Sequence, residues 1–189
     1  MPPKVKITKE EILQTALDLI RKEGAEALNA RSIAATLGCS TQPIFSNFAT
    51  MEELQTAVIL AAYEHYLLFL QREVESGAYP QYKAYGMAYI RFAKEEKELF
   101  KLLFMCDRSG KDLMPTADFD ASVQMIMEAN PVTQETARLM HLEMWTFVHG
   151  IGTMLATSFL SLDWELIGQM TSDAYQGIRA RHLSKEELK

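Results

Sequence analysis

Residues 31–54 are RSIAATLGCSTQPIFSNFATMEEL, and the punctuation of this stretch decides the fold. Ile33, Ala34 and Leu37 give a short helix its apolar face. Gly38 supplies the left-handed residue that ends a helix and opens a tight turn. Ser40 is a cap for the next helix, along which Ile44, Phe45 and Phe48 recur at helical spacing. Pro43 falls at that helix's third position, where no backbone donor is needed. Thr50 and Glu53 have the spacing of a capping box and open another helix. A short helix, a glycine turn and a second short helix are the minimum needed to seat one helix in the major groove of DNA.

Upstream, Thr8 and Glu11 form a first capping box, Ile12, Leu13, Ala16, Leu17 and Ile20 make one apolar face, and Gly24 stops the helix. Asn29 caps the helix that follows. Downstream, the helix opened by Thr50 runs to about Glu75 with Leu54, Val58, Ala61, Ala62 and Leu68 in its apolar set. Ser76-Gly77-Ala78-Tyr79-Pro80 is the best internal boundary. Further helices are expected over about 81–97, 98–106, 116–129, 133–160 and 163–182, with a loop over 107–112 and breaks at Asn130-Pro131 and Ser161-Leu162-Asp163. No stretch alternates with a period of two, so the expected class is all-α. The expected domains are an N-terminal three-helix helix-turn-helix DNA-binding domain over 1–54 and a helical ligand-binding and dimerisation domain over 55–189.

The chain of 189 residues is long enough for a sizeable core, and 48% hydrophobic with 23% charged residues is ordinary for a globular protein. No apolar run reaches the roughly 18 residues of a membrane span, and the N-terminus lacks a hydrophobic signal segment, so a cytoplasmic location is expected. Two cysteines, Cys39 and Cys106, make neither a disulfide framework nor a zinc site. The net charge of −6 argues against a generic nucleic-acid coat. Residues 1–54 carry six Lys/Arg and seven Asp/Glu, against thirteen and eighteen in the remainder. Contact with DNA therefore depends on local placement of Lys4, Lys6, Lys9 and Arg31, with modest non-specific affinity.

In the order of these features over residues 8–54 the chain resembles TetR/AcrR-family transcriptional regulators. The resemblance lies in Ile33-Ala34, Gly38-Cys39-Ser40, Phe45, Asn47-Phe48 and Thr50 with Glu53, followed by a helical region of about 135 residues. It extends to Trp145, His149 and Gly150, spaced as in the Trp-His-Gly subgroup of C-terminal domains. It implies a homodimeric, ligand-responsive regulator, most often a repressor, released from a near-palindromic operator by a small effector. Two positions depart from the family pattern. Phe45 stands where a phosphate-contacting tyrosine is common, and Met51 where a lysine is common. Fewer backbone contacts and a shallower salt dependence follow, with the N-terminal amides of the fourth helix left to meet a phosphate.

On the recognition helix Thr41, Gln42, Ser46 and Asn47 are small or amide-bearing; Gln and Asn pair with adenine edges and a Thr methyl meets a thymine methyl. Arg31 suits a guanine, or else a surface ion pair with Glu26. With Lys6, Ser40 and Phe45 these are the expected DNA contacts. The second domain is rich in methionine and aromatic residues, most of which must be core; the resemblance implies a cavity among them. Tyr85, Tyr89, Phe92, Phe104, Met144, Trp145 and His149 are candidate ligand contacts, with His141 as a further polar group and an apolar or amphipathic effector. The last two long helices carry apolar residues around much of their circumference, including Leu139, Leu142 and Leu166. Phe147, Ile151, Leu155, Phe159, Ile167, Met170 and Ala174 are the expected dimer interface.

Catalysis is not expected. The chain has no His-Glu-x-x-His, Walker loop, dinucleotide fingerprint or nucleophile elbow. His141 and His149 are too far apart to share a metal unaided, and neither metal nor cofactor is expected. The competing reading is a helical partner-binding module whose helix-turn-helix no longer binds DNA; the acidity and the two missing phosphate contacts favour it.

Overall fold

A computed structural model describes residues 7–107 and 117–186. The described residues form nine α-helices and no strand. None of these helices is long and apolar enough to cross a membrane. They fall into two compact units, one within Met1–Tyr66 and Glu96–Cys106, the other within Leu67–Glu95 and Asp107–Lys189.

The first unit begins with α1 (Lys9–Glu23), whose Thr8 and Glu11 form the expected capping box. Its buried face is Ile12, Ala16, Leu17 and Ile20, and Gly24 stops it at φ +85°. After a 3-10 turn over Ala25–Ala27 comes α2 (Ala30–Thr36), with Ile33 and Ala34 buried. Asn29 Oδ1 accepts from the amides of Arg31 and Ser32 at 3.1 and 2.9 Å. In so short a helix a cap matters: Asn29→Ala is expected to cost about 1 kcal/mol, Asn29→Asp much less, read as the loss of stability in denaturant. Gly38 at φ +65° closes α2. The Cys39 amide donates to Ala34 O and the Gly38 amide to Ala35 O, at 3.0 and 3.2 Å, satisfying carbonyls the helix would otherwise orphan.

Helix α3 (Gln42–Asn47) follows, with Ile44 buried and Phe48 buried just past its end. The expected cap at Ser40 is not made. The helix starts one residue later, from Thr41, and Pro43 falls within its first two positions. Thr41 is already in the right-handed helical region (φ −70°, ψ −12°), so its carbonyl, accepting from Ile44 and Phe45, starts the ladder without a side-chain cap. Helix α4 (Met51–Glu75) then runs 25 residues, the length expected, and the position after Leu54 falls inside it.

Helix α5 (Gln81–Glu95) is separated from α6 (Lys97–Phe104) at Glu96 (φ −119°, ψ 54°), one residue before the expected break. There the Glu96 carboxylate accepts from Arg21 Nε of α1 at 2.9 Å and meets His65 Nε2 of α4 at 2.8 Å, which ties α1, α4 and α6 together within the first unit.

The second unit continues with α7 (Ala117–Ala129), α8 (Gln134–Ala156) and α9 (Trp164–Glu186). Val123, Ile126, Ala137 and Met140 are a buried cluster of its core. Helix α8 ends four residues before the expected limit. Ser158 takes φ +57°, and the amides of Ser158 and Phe159 donate back to Leu155 and Met154 carbonyls at 3.0 and 2.9 Å. This is a glycine-type helix end made by a serine, so the sequence carries no stop signal there. Of the expected loop at 107–112 only Asp107 is described; residues 108–116 lie outside the described residues.

Candidate functional site

Helices α2 and α3 each bury one face and expose the other. Ile33, Ala34, Ile44 and Phe48 are buried, while Arg31, Ser40, Gln42, Phe45 and Ser46 are exposed and Thr41 is half-buried. Arg31 has no ion-pair partner among the described residues; Glu26 does not reach it. The Gln42 side chain likewise engages nothing there. Phe45 exposes 47% of its surface. Ser46 Oγ donates to Gln42 O at 2.9 Å and keeps its lone pairs.

Asn47 does a different job from the one expected. Its Nδ2 donates to Pro43 O at 2.8 Å and to Ile7 O at 3.2 Å, fastening the end of α3 to the chain ahead of α1. Both amide hydrogens are used, so Asn47 positions the helix instead of presenting a donor to a base. Lys6, with Lys4, lies outside the described residues. Lys9 stands over the Phe48 ring at 5.0 Å and 3.9 Å from Glu53.

The start of α4 is occupied by its own cap. Thr50 Oγ1 accepts from the Glu53 amide at 3.1 Å, and Glu53 Oε2 accepts from the Ala49 amide at 2.6 Å. Glu52 and Glu53 place two carboxylates in the first turn. These groups satisfy amides that would otherwise draw a phosphate, and their charge opposes one.

In the second unit two tyrosine–histidine pairs join α5 to α8: Tyr82 Oη to His141 Nδ1 at 3.0 Å and Tyr89 Oη to His149 Nδ1 at 2.8 Å. Burial pushes His141 down to about 4 and lowers His149 also. The Tyr82 phenol, itself desolvated and near Tyr175, is pushed up. His141 is therefore neutral in the folded chain near pH 7. As pH falls, the unfolded chain takes up this proton first, near 6.5, so stability present above that pH is lost toward about 4. After discounting for partial exposure the loss is about 1–2 kcal/mol. Denaturant midpoints at pH 7 and pH 5 should differ more for the wild type than for His141→Gln.

The candidate ligand residues separate by burial and by unit. Phe104 belongs to the first unit, where it packs edge-on to Tyr66 at 5.4 Å; the other six belong to the second. Phe92 is fully buried, edge-on to Phe69 at 5.3 Å, and Tyr89 and Met144 are buried too. Tyr85 is half-buried. Trp145 is 45% exposed and stacks on His149 at 5.6 Å.

The expected dimer residues need correction. Ile151, Leu155 and Ile167 are buried inside the protomer, because α8 and α9 bury one face of each against their own unit. Phe147, Met170 and Ala174 are half-buried and Phe159 is 81% exposed. The exposed apolar side chains of this region are Leu139, Leu142 and Trp145 on α8, Phe159 and Leu160 after it, and Leu166 on α9. Among the described residues no cluster of His, Cys, Asp and Glu could hold a metal ion.

No family model and no curated relative matches the chain. Solved structures do. A protein of unknown function from Rhodococcus sp. RHA1 superposes with a TM-score of 0.76 at 21% identity, covering 95% of this chain and 100% of its own. A TetR-like transcriptional regulator from the same organism superposes with 0.66 at 14% identity, covering 97% and 98%. The chain has the TetR-like fold. The fatty acid degradation regulator FadR from Bacillus halodurans shares it, with a TM-score of 0.64 at 12% identity over 95% of this chain and 97% of that one. This TetR-like fold carries its helix-turn-helix on α2 and α3, the stretch on which the sequence resemblance rests.

Proposed function

We propose that this chain is an operator-binding transcriptional regulator, a ligand-released repressor, and not a catalyst. The observation that carries the reading is the pairing of Arg31 and Gln42. Both are exposed on consecutive helices and engage no side chain among the described residues, while the opposite faces of the same helices are buried. Arg31 reads a guanine, Gln42 an adenine, and Thr41 with Ser40 and Ser46 line the contact. Phe45 packs its exposed ring against the sugar–phosphate edge. A second copy covers Leu139, Leu142 and Leu166, so that two recognition helices lie about one DNA turn apart and read a near-palindrome. A small apolar or amphipathic effector, bound among Tyr85, Trp145 and His149, shifts the population toward a dimer that no longer matches the operator. The fold shared with the Bacillus regulator is compatible with such an effector.

The occupied start of α4 favours a second reading, a helical partner-binding module without DNA affinity. Salt titration separates the two. Binding to a duplex should weaken with salt, on a shallow slope. Met51→Lys should tighten it and steepen the slope by about 0.9, the value for one added phosphate contact. No duplex binding at low salt by either form would leave the partner module standing. The dimer has its own test: Leu142→Glu should convert dimer to monomer in sedimentation, and an unchanged sedimentation coefficient would place the interface elsewhere.

A further inference from the structure

Helix α8 carries on its outer side the stripe Leu139, Leu142, Thr146, Gly150, Thr153 and Thr157, spaced three or four residues apart. Gly150 and Thr153 are half-buried and the other four are exposed. The two halves of the stripe differ in bulk, with leucines at the N-terminal end and glycine and threonines toward the C-terminal end. Residues 144–162 contain no Asp, Glu, Lys or Arg, and the core of an interface is where charge is scarce. The stripe can be covered without stranding a donor. Thr146 Oγ1 already donates to Leu142 O at 2.9 Å and Thr157 Oγ1 to Thr153 O at 2.7 Å. Thr153 Oγ1 is buried already and has no hydrogen-bond partner among the described residues. Covering the stripe therefore adds no unsatisfied hydroxyl.

Gly150 lies inside a 23-residue helix, where glycine is a poor helix former. A Cβ there would meet nothing within 4 Å, whereas one on Gly86 would touch Val148 Cγ1 at 3.4 Å. Packing within the protomer thus accounts for Gly86 and not for Gly150. We infer that a second copy lays its own α8 antiparallel along the stripe, about a two-fold axis between Thr146 and Gly150. Leu139 then meets the partner's Thr157, Leu142 the partner's Thr153, and Thr146 the partner's Gly150, each pair occurring twice. The bulky half of each copy fills the slender half of the other. Parallel helices would set leucine on leucine and glycine on glycine, crowded at one end and hollow at the other. The area suits a stable dimer. Six large apolar side chains are exposed from Leu139 to Leu166, together on the order of 500 Å². A standard interface buries about 800 Å² per partner, roughly 65% of it apolar in homodimers. This deepens the dimer reading by giving the pairing its register, and rests on that reading.

The test is analytical ultracentrifugation of the full chain over a range of protein concentrations, beside far-UV circular dichroism. Gly150→Leu should keep the helical spectrum, because the space over Gly150 is open in the protomer, and weaken dimerisation about tenfold or more. Leu142→Glu should give monomer, and adding Thr153→Lys in the same chain should restore the dimer. Those positions are 11 residues apart on one helix, about 16 Å, so the rescue can act only between copies. With the free Cys39 and Cys106 replaced by serine, Leu142→Cys and Thr153→Cys together should oxidise to a covalent dimer, and neither alone. A wild type that is monomeric throughout overturns the pairing and the dimer reading together. A dimer indifferent to Gly150→Leu, or a Leu142→Glu monomer that Thr153→Lys does not rescue, overturns the pairing and leaves the dimer reading standing. A covalent dimer from either single cysteine, the mark of parallel helices, does the same.

Discussion

Alanine at Arg31 and Gln42 together is expected to abolish sequence-specific DNA binding while leaving the melting temperature in place. Each side chain is exposed and makes no hydrogen bond or ion pair among the described residues, so truncation removes no internal polar contact. Each good base contact contributes about 1–3 kcal/mol of discrimination, so the pair should lose about 2–6 kcal/mol per half-site, a thirtyfold fall or more. Fluorescence anisotropy on a selected duplex, beside a thermal melt, measures both quantities. Asn47→Ala is the informative contrast. Its amide fastens α3 to Ile7 and Pro43, so its removal should lower stability as well as affinity. Equal loss of stability in the Arg31/Gln42 variant would mean that this face serves packing.

Phe92→Ala is expected to be the most destabilising single change, at about 3–5 kcal/mol, since it empties a fully buried aromatic site that its neighbours fill only in part. At about 2–4 °C per kcal/mol for a chain of this length, the melting temperature should fall by roughly 6–20 °C. Tyr85→Phe, at a half-buried position, should leave the melt nearly unchanged. The contrast decides a question the sequence leaves open, whether Phe92 lines a ligand site or fills the core. A small loss at Phe92 would mean that a space already exists beside its ring.

Local chemistry was legible; long-range chemistry was not. The caps at Thr8, Asn29 and Thr50, and the glycine stops at Gly24 and Gly38, are read within four residues of the helix ends they govern, and all five act as expected. Ser40 failed as a cap because Thr41 already has helical dihedrals, a difference of one residue that no residue type announces. The end of α8 was missed because a serine takes the left-handed position there. Asn47 looked like a base reader because its tie to Ile7 spans 40 residues. Apolar periodicity marked α8 and α9 as heavily buried but could not separate the face turned to the protomer's own core, Ile151, Leu155 and Ile167, from the exposed Leu139, Leu142 and Leu166. The hydrogen bond from Lys83 Nζ to Ser172 Oγ joins residues 89 apart and leaves no trace in spacing.

The most direct test of the account is selection of the purified chain against a random duplex library at moderate salt. The account predicts enrichment of one near-palindrome whose half-sites lie about one helical turn apart, and its loss in the Arg31/Gln42 variant. A folded dimer that enriches no sequence would contradict it.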